Sequence, residues 1–473
     1  EQRFAESAVA TLLAADLVDV AGSVAKRGLA AWPHSIALRV EAARVEVAQG
    51  HLTDAIEGLP DALIAKDPAA VAVRARARLL LDDVDGARRD LELVAAASSP
   101  DLRAARALLG AALGEAVEPP GPSERPDLRI VEARLARQRG EPAKAVAALR
   151  PLLETSLGME RFPVRLELAR AYRDSADYPG ARSAYNELMS VPNPQLRLET
   201  AQLLLEDSDP KRAREHIEAL LRDEGDRATG AMLVEAMRIR TLTGAPTQAE
   251  SLAAKAAAAG APPWMLQREA ARIARQRDDL GTAAEALGKA LDGSKADLDT
   301  LLMACDVIDS ASPTLVAKLT KAVDERLADQ PDLLVAQGKL ALSRGDVAKA
   351  SELFDKAAQR FKERPVSARR LAQVSFGAGA LAVGRKEWVM ARRKLEAAIE
   401  FDPSLLDAYT YLAVALARGG DLPRAVGLLK TAAELAPESV LVWQTLADYA
   451  TNARDGKTAA EASKRAATLL RRK

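Results

Sequence analysis

Apolar residues return along this chain with a period near 34. Ala391, Ala425 and Ala459 stand 34 apart, as do Leu395 and Leu429, Ala398, Ala432 and Ala466, and Pro403 and Pro437. Tyr409, Leu412 and Ala413 fill one set of places, and Trp443, Leu446 and Ala447 fill the same places one period later. The pattern predicts two amphipathic helices per period, and no strand pattern is found. Gly50, Gly140, Gly244, Gly345 and Gly420 recur near the turn between the two helices, where a helix C-cap favours glycine. Pro33, Pro68, Pro100, Pro262, Pro365, Pro403 and Pro437 recur between periods, where a helix must stop.

This arrangement resembles the tetratricopeptide repeat, a helix–turn–helix unit of 34 residues. The register runs back through small residues at position 20: Ala350, Ala317, Ala283, Ala249, Ala213, Ala181, Ala145, Ala87, Ala55 and, weakly, Ala21. The resemblance implies an all-α fold, a right-handed superhelical solenoid of roughly twelve units. Read from the residues alone, a generic alanine-rich array of another repeat family stays open. The best interior unit carries Leu166, Ala169, Tyr172, Tyr178, Ala181, Tyr185 and Leu188. Residues 298–330 are the poorest, with Cys305 at the small position 8 but Lys321 and Asp324 where apolar residues are expected. Residues 119–126 read Pro-Pro-Gly-Pro-Ser-Glu-Arg-Pro, which cannot be helix. The expected organisation is a sub-array over 1–118, a Pro-rich joint over 119–126, and a main array with a C-terminal capping helix over 127–473.

Composition narrows the function. Lys+Arg and Asp+Glu both number 67, which argues against a globally polyanion-seeking protein, and no nucleic-acid partner is expected. Aromatics are 3%, so the core must be built from Ala, Leu and Val. One Cys excludes a disulfide framework, and three His make a His-based metal or catalytic centre improbable. His34, His51 and His216 have no Ser, Cys or His partner at motif spacing. Gly377 and Gly379 begin a Gly-rich pattern of the wrong spacing, at a close-packed repeat position. Carboxylate pairs such as Asp82–Asp83 and Asp278–Asp279 fall at turns and read as solvated. No enzyme activity, cofactor or metal is expected, and no apolar run reaches membrane-span length. The chain opens on Glu1 and not Met, so a leader or anchor ahead of it lies outside what the sequence tells.

In solenoids of this family the first helices line the concave groove. Position 9 reads Arg44, Arg76, Arg134, Arg170, Gln202, Arg238 and Arg272 along the first seven such places, and position 12 adds Arg137, Arg173 and Arg275. Such a ladder suits an acidic extended peptide or helix, because guanidinium groups pair carboxylates in a fork. These nine arginines are the candidate partner-binding residues. A structural reading competes: Glu41, Glu167, Glu235 and Glu269 stand three residues before Arg44, Arg170, Arg238 and Arg272, where intrahelical pairing is worth roughly 0.2–0.5 kcal/mol. Arg76 and Arg134 lack that neighbour and stand out for binding.

Toward the C-terminus the groove is expected to show an apolar strip of Phe376, Ala380, Val383, Thr410, Val414 and Ala417, read as ordinary packing. Only three Asn are present, and one, Asn452, lies on a first helix, so the Asn-based carboxylate clamp of chaperone-binding members is not expected. The reading is a non-catalytic scaffold for partner proteins of a multiprotein assembly. Arg-over-Lys, Ala-rich, Asn-poor composition looks bacterial and GC-rich, and long arrays of this kind suggest a cell-envelope machine (pilus, secretion, polysaccharide export or motility). The alternative is a regulatory or sensory segment of a larger protein such as a kinase or transcription regulator. Oligomeric state is not readable.

Overall fold

The structure is a computed structural model. It describes all residues except 65–66, 96–98, 116–124, 156, 192, 294–297, 308–314, 316, 320, 322–330, 364–366 and 472–473. Most of the Pro-rich joint therefore lies outside the described residues. The described residues form helices and no strand, arranged as the stacked pairs of a tetratricopeptide-type solenoid. They gather into two compact units, Glu1–Glu199 and Thr200–Lys473. The first contains the pairs Gln2–Ala14 with Val18–Ala31, Ile36–Gln49 with Leu52–Glu57, and Pro68–Leu80 with Val84–Glu92. Helix Pro100–Leu113 follows, then Pro126–Gln138 with Pro142–Leu149, and Arg161–Asp174 with Tyr178–Leu188. The second runs from within helix Pro194–Glu206 to the terminal pair Val440–Asn452 and Gly456–Leu470.

The seam between paired helices is made of alanine. Ala55, Ala87, Ala145, Ala181, Ala213, Ala249, Ala283, Ala350, Ala391 and Ala425 are all completely buried. A methyl is the largest group that lets two helix axes approach this closely. Ala459, in the last pair, is only partly buried, and Ala317 is exposed while Leu315 and Leu319 are buried, so the register expected there is not the one adopted. At position 4, the Tyr409 hydroxyl donates to the Pro403 carbonyl at 3.1 Å and Trp443 Nε1 donates to the Pro437 carbonyl at 3.1 Å. The aromatic thus ties each first helix to the turn before it.

Second helices open on a recurrent device. Asp83, Asp177, Asp209, Asp279, Asp346, Asp421 and Asp455 each accept a backbone N–H three residues on, at 2.9 to 3.2 Å. Each stands four residues before the position-20 alanine. The residue before each of these Asp has positive φ in most repeats: Gly345 and Gly420, but also Asp82, Ala176, Ser208, Asp278 and Arg454.

Each unit also closes on itself. In the first, Asn193 Nδ2 donates to the Gly50 carbonyl at 3.3 Å, the buried Phe162 ring lies against Gly50, and Gln195 Nε2 donates to Asp82 at 3.0 Å. In the second, Asp278 accepts from Ser439 Oγ at 2.8 Å and from Leu441 N at 2.9 Å, and Arg277 Nε donates to Glu438 at 2.7 Å. Asp278 was expected to be a solvated turn residue; it is a bridge to the last first-helix instead.

Candidate functional site

The ladder arginines of the first unit all have carboxylate partners. Arg44 pairs with Glu41 at 2.9 Å and Asp101 at 3.0 Å. Arg76 is buried against the equally buried Glu160. Arg134 reaches Glu167 at 2.6 Å, Arg137 reaches Glu167 and Asp174 at 2.7 Å each, and Arg170 reaches Glu167 at 2.8 Å and Glu199 at 2.5 Å. Arg173 lies 3.6 Å from Asp174. Arg76 and Arg134 lack an upstream partner on their own helix, but each finds one elsewhere: Glu160 and Glu167 are 84 and 33 residues away in sequence.

The second unit repeats the pattern. Arg238 lies 3.5 Å from Glu235 and 3.4 Å from Asp299, Arg272 is 2.9 Å from Glu269, and Arg275 bridges Asp306 at 2.8 Å and Asp407. All four Glu–Arg pairs at i,i+3 form, and most acquire a second carboxylate from another helix. All nine arginines are held in ion pairs, Arg44, Arg76, Arg134, Arg137, Arg170 and Arg173 within the first unit and Arg238, Arg272 and Arg275 within the second. Arg238 Nε and Arg272 Nη2 are buried with no acceptor among the described residues.

The electrostatics follow from this geometry. Glu167 is fully buried, yet the guanidinium groups of Arg134, Arg137 and Arg170 outweigh desolvation and hold its carboxyl well below the usual range. Glu199 is lowered to about 2, where Arg170, Arg173 and the Tyr185 hydroxyl outweigh the burial that opposes ionisation. Tyr185 is pushed well up by burial and by the Glu199 charge. Arg272 runs the other way: burial and the neighbouring Arg238 lower it, against the pull of Glu269. An acidic ligand at these arginines must displace carboxylates the fold already supplies.

Other expected features fall as follows. Cys305 is buried, its thiol 3.6 Å from the Ala336 carbonyl and pushed up to about 12 by burial, which makes it unreactive. Gly377 and Gly379 are packing glycines: a Cβ would lie 2.5 Å from Phe354 at the first and 2.6 Å from Leu395 at the second. Phe376, Val383 and Ala417 of the apolar strip are partly buried against the C-terminal core, and Phe376 meets Tyr411 edge-on at 5.4 Å. His51 pairs with Glu46 at 2.9 Å, and Glu46, His51 and the exposed Asp54 place ligand atoms within 4.8 Å of one another. That cluster spans a turn, which motif spacing along one helix does not reveal.

Sequence reasoning also missed a cleft of about 390 Å³ in the first unit. It lies between the end of helix Pro142–Leu149 and the pair Arg161–Asp174 and Tyr178–Leu188, with Arg150 and Arg165 on its wall.

The tetratricopeptide repeat family model matches residues 166–231 and 390–440. No curated protein matches the chain. Among solved structures, the APC/C hetero-tetramer Cut9-Hcn1 is similar at 11% identity over 99% of this chain and 93% of that one, with TM-score 0.43. The human IFIT1 dimer with PPP-AAAA gives 16% identity, coverage of 90% and 94%, and TM-score 0.43. A tetratricopeptide repeat protein from Parabacteroides merdae gives 14%, 50% and 93%, and 0.39.

Proposed function

We propose that this chain, whose residues 166–231 and 390–440 match the tetratricopeptide repeat model, is a non-catalytic scaffold holding partner proteins of a multiprotein assembly. Repeats of this type serve protein–protein interaction, because stacked pairs present long helical faces while each repeat is stabilised only by its neighbours. The observation that carries the reading is the array itself: the alanine seam recurs from Ala21 to Ala425. Among the described residues no helix is long and apolar enough to cross a membrane. The extension to a bacterial cell-envelope machine rests on composition and is tested by fractionating source cells.

The concave ladder remains a candidate contact for an acidic peptide or helix, but its arginines enter that contact already paired. Affinity capture with crosslinking from source-cell lysate, at about 50 and 200 mM salt, tests the scaffold reading, because exposed charge pairing is screened over this range. Reproducible crosslinks from one protein to either unit support it. Retention of a small molecule turned over by the chain, with no protein captured at either salt, would overturn it.

A further inference from the structure

We propose that residues 385–394, the turn before helix Trp388–Phe401 and its opening, form a surface that seats the chain on an anionic lipid bilayer. Such seating is independent of the scaffold reading and adds the surface on which a scaffold rests. The two places before the position-20 alanine are small or polar in the neighbouring repeats: Ala348 and Lys349, Pro423 and Arg424, Lys457 and Thr458. Before Ala391 they hold Val389 and Met390, which are 86% and 45% exposed. The fold does not use these two side chains. Ala391, Leu395 and Ala398 supply the buried face of this helix. An exposed apolar pair rimmed by charge is the mark of a contact surface.

The rim is basic. Arg385, Lys386, Arg392, Arg393 and Lys394 are all exposed, and Glu387 is the one carboxylate among residues 385–394. Arg392 and Arg393 follow Val389 by three and four residues, and Arg393 and Lys394 stand likewise to Met390, so cations and apolar side chains share a face. Glu396 pairs with Arg392 at 3.0 Å and with Arg424 at 2.8 Å. Arg385, Lys386, Arg393 and Lys394 have no ion pair among the described residues, in a chain whose cations and anions are equal in number. Local stability gives no reason for this charge. Lys386 takes φ +60° at the place of Gly345 and Gly420, where glycine is unstrained. Glu387 replaces the capping Asp of other repeats and makes no side-chain cap. Arg385 and Lys386 also sit at the positive end of the helix dipole, which disfavours cations and adds to their field. The partner is therefore anionic. A standard protein interface buries about 800 Å² on each side, far more than two adjacent aliphatic side chains supply. A bilayer needs only a small apolar tip at the acyl boundary and long cationic side chains at the headgroups.

The test is co-sedimentation of the full chain with vesicles of phosphatidylcholine, with and without about 30% phosphatidylglycerol, at about 50 and 200 mM salt. The chain should sediment with the anionic vesicles at the lower salt, less at the higher, and not with phosphatidylcholine alone. Arg393→Glu combined with Lys394→Glu should weaken binding at least about tenfold. Val389→Ser combined with Met390→Ser, a neutral change at exposed positions, should weaken it about tenfold while circular dichroism stays unchanged. Lys464→Glu combined with Arg465→Glu makes the same charge change at exposed places on helix Gly456–Leu470 and should cost no more than about twofold. No sedimentation with anionic vesicles at the lower salt would overturn the proposal, as would equal loss in the two charge reversals. Unchanged binding in the double serine variant would overturn it too, since the apolar pair would then not enter the bilayer. An acidic protein crosslinked to Lys386 or Lys394, with no vesicle binding, would give the surface to a protein partner instead.

Discussion

Glu167→Gln is the sharpest probe of the ladder. Glu167 is fully buried and accepts from Arg134 Nε at 3.2 Å, Arg134 Nη2 at 2.6 Å, Arg137 Nη1 at 2.7 Å and Arg170 Nη1 at 2.8 Å. Gln keeps the shape and removes the charge. Its amide NH₂ then faces guanidinium N–H groups, donor against donor, and three cations lose their shared anion. Removing one partner of a buried pair costs about 3–5 kcal/mol. Arg137 retains Asp174 and Arg170 retains Glu199, which places the expected loss near the lower end, about 3 kcal/mol. For a unit of this size that corresponds to a fall in Tm of about 10 °C.

Repeat arrays do not unfold in one step, so the readout must be local. Hydrogen exchange over residues 126–206 should accelerate in Glu167→Gln while exchange over 406–470 stays unchanged. A double-mutant cycle with Arg137→Gln should show a coupling of about 0.5–3 kcal/mol. A loss under about 1 kcal/mol with no coupling would refute the reasoning. It would mean that these guanidinium groups are not committed to the seam, and it would restore them as free contacts for an acidic partner.

Four further outcomes are expected. Glu199, whose folded pKa of about 2 lies below its ordinary 4.5, contributes about 3 kcal/mol; that stability is present above about pH 4.5 and is lost as pH falls toward 2. Acid titration followed by circular dichroism should therefore flatten in Glu199→Gln. Ala176 holds φ +54° in the turn before Asp177, so Ala176→Gly should stabilise by about 0.5–1 kcal/mol in urea unfolding, and destabilisation would contradict the strain assigned to this turn. Gly377→Ala should cost about 1–3 kcal/mol, recovered in part by Phe354→Leu, because the ring lies 2.5 Å from the added Cβ. Asp278→Ala frees the Leu441 N–H, so its exchange should rise well above that of Val442, whose N–H stays bonded to Ser439.

Much of the fold was legible because the repeat enforces it locally. Position-20 alanines, turn glycines and the aromatics Tyr409 and Trp443 each report a constraint within about one repeat, so spacing exposes them. Two things escaped. The Asp that caps seven of the second helices was visible only as turn charge, because its signal is its fixed distance from the next alanine. The partners of Arg76 and Arg134 escaped because the i,i+3 rule searches one helix, whereas Glu160 and Glu167 come from other elements.

The ladder's arrangement answers a problem that the alanine seam creates. Seams made of one small residue are nearly interchangeable, since any pair can rest against any other with similar apolar burial. Directional charge removes that degeneracy. Arg134 finds its carboxylate when Glu167 of the following pair lies opposite, Arg137 is completed by Glu167 and Asp174 of that same pair, and Arg170 gains Glu199 from the next helix beside Glu167 on its own. In the second unit, Arg275 and Lys339 both converge on Asp306, the latter at 2.5 Å. A mispaired neighbour would leave a buried guanidinium without its anion, at a cost of about 3–5 kcal/mol, more than an alanine contact returns. Buried charge here selects the neighbour more than it adds stability. This is why a chain with balanced charge and few aromatics can stack so many similar helix pairs in one order.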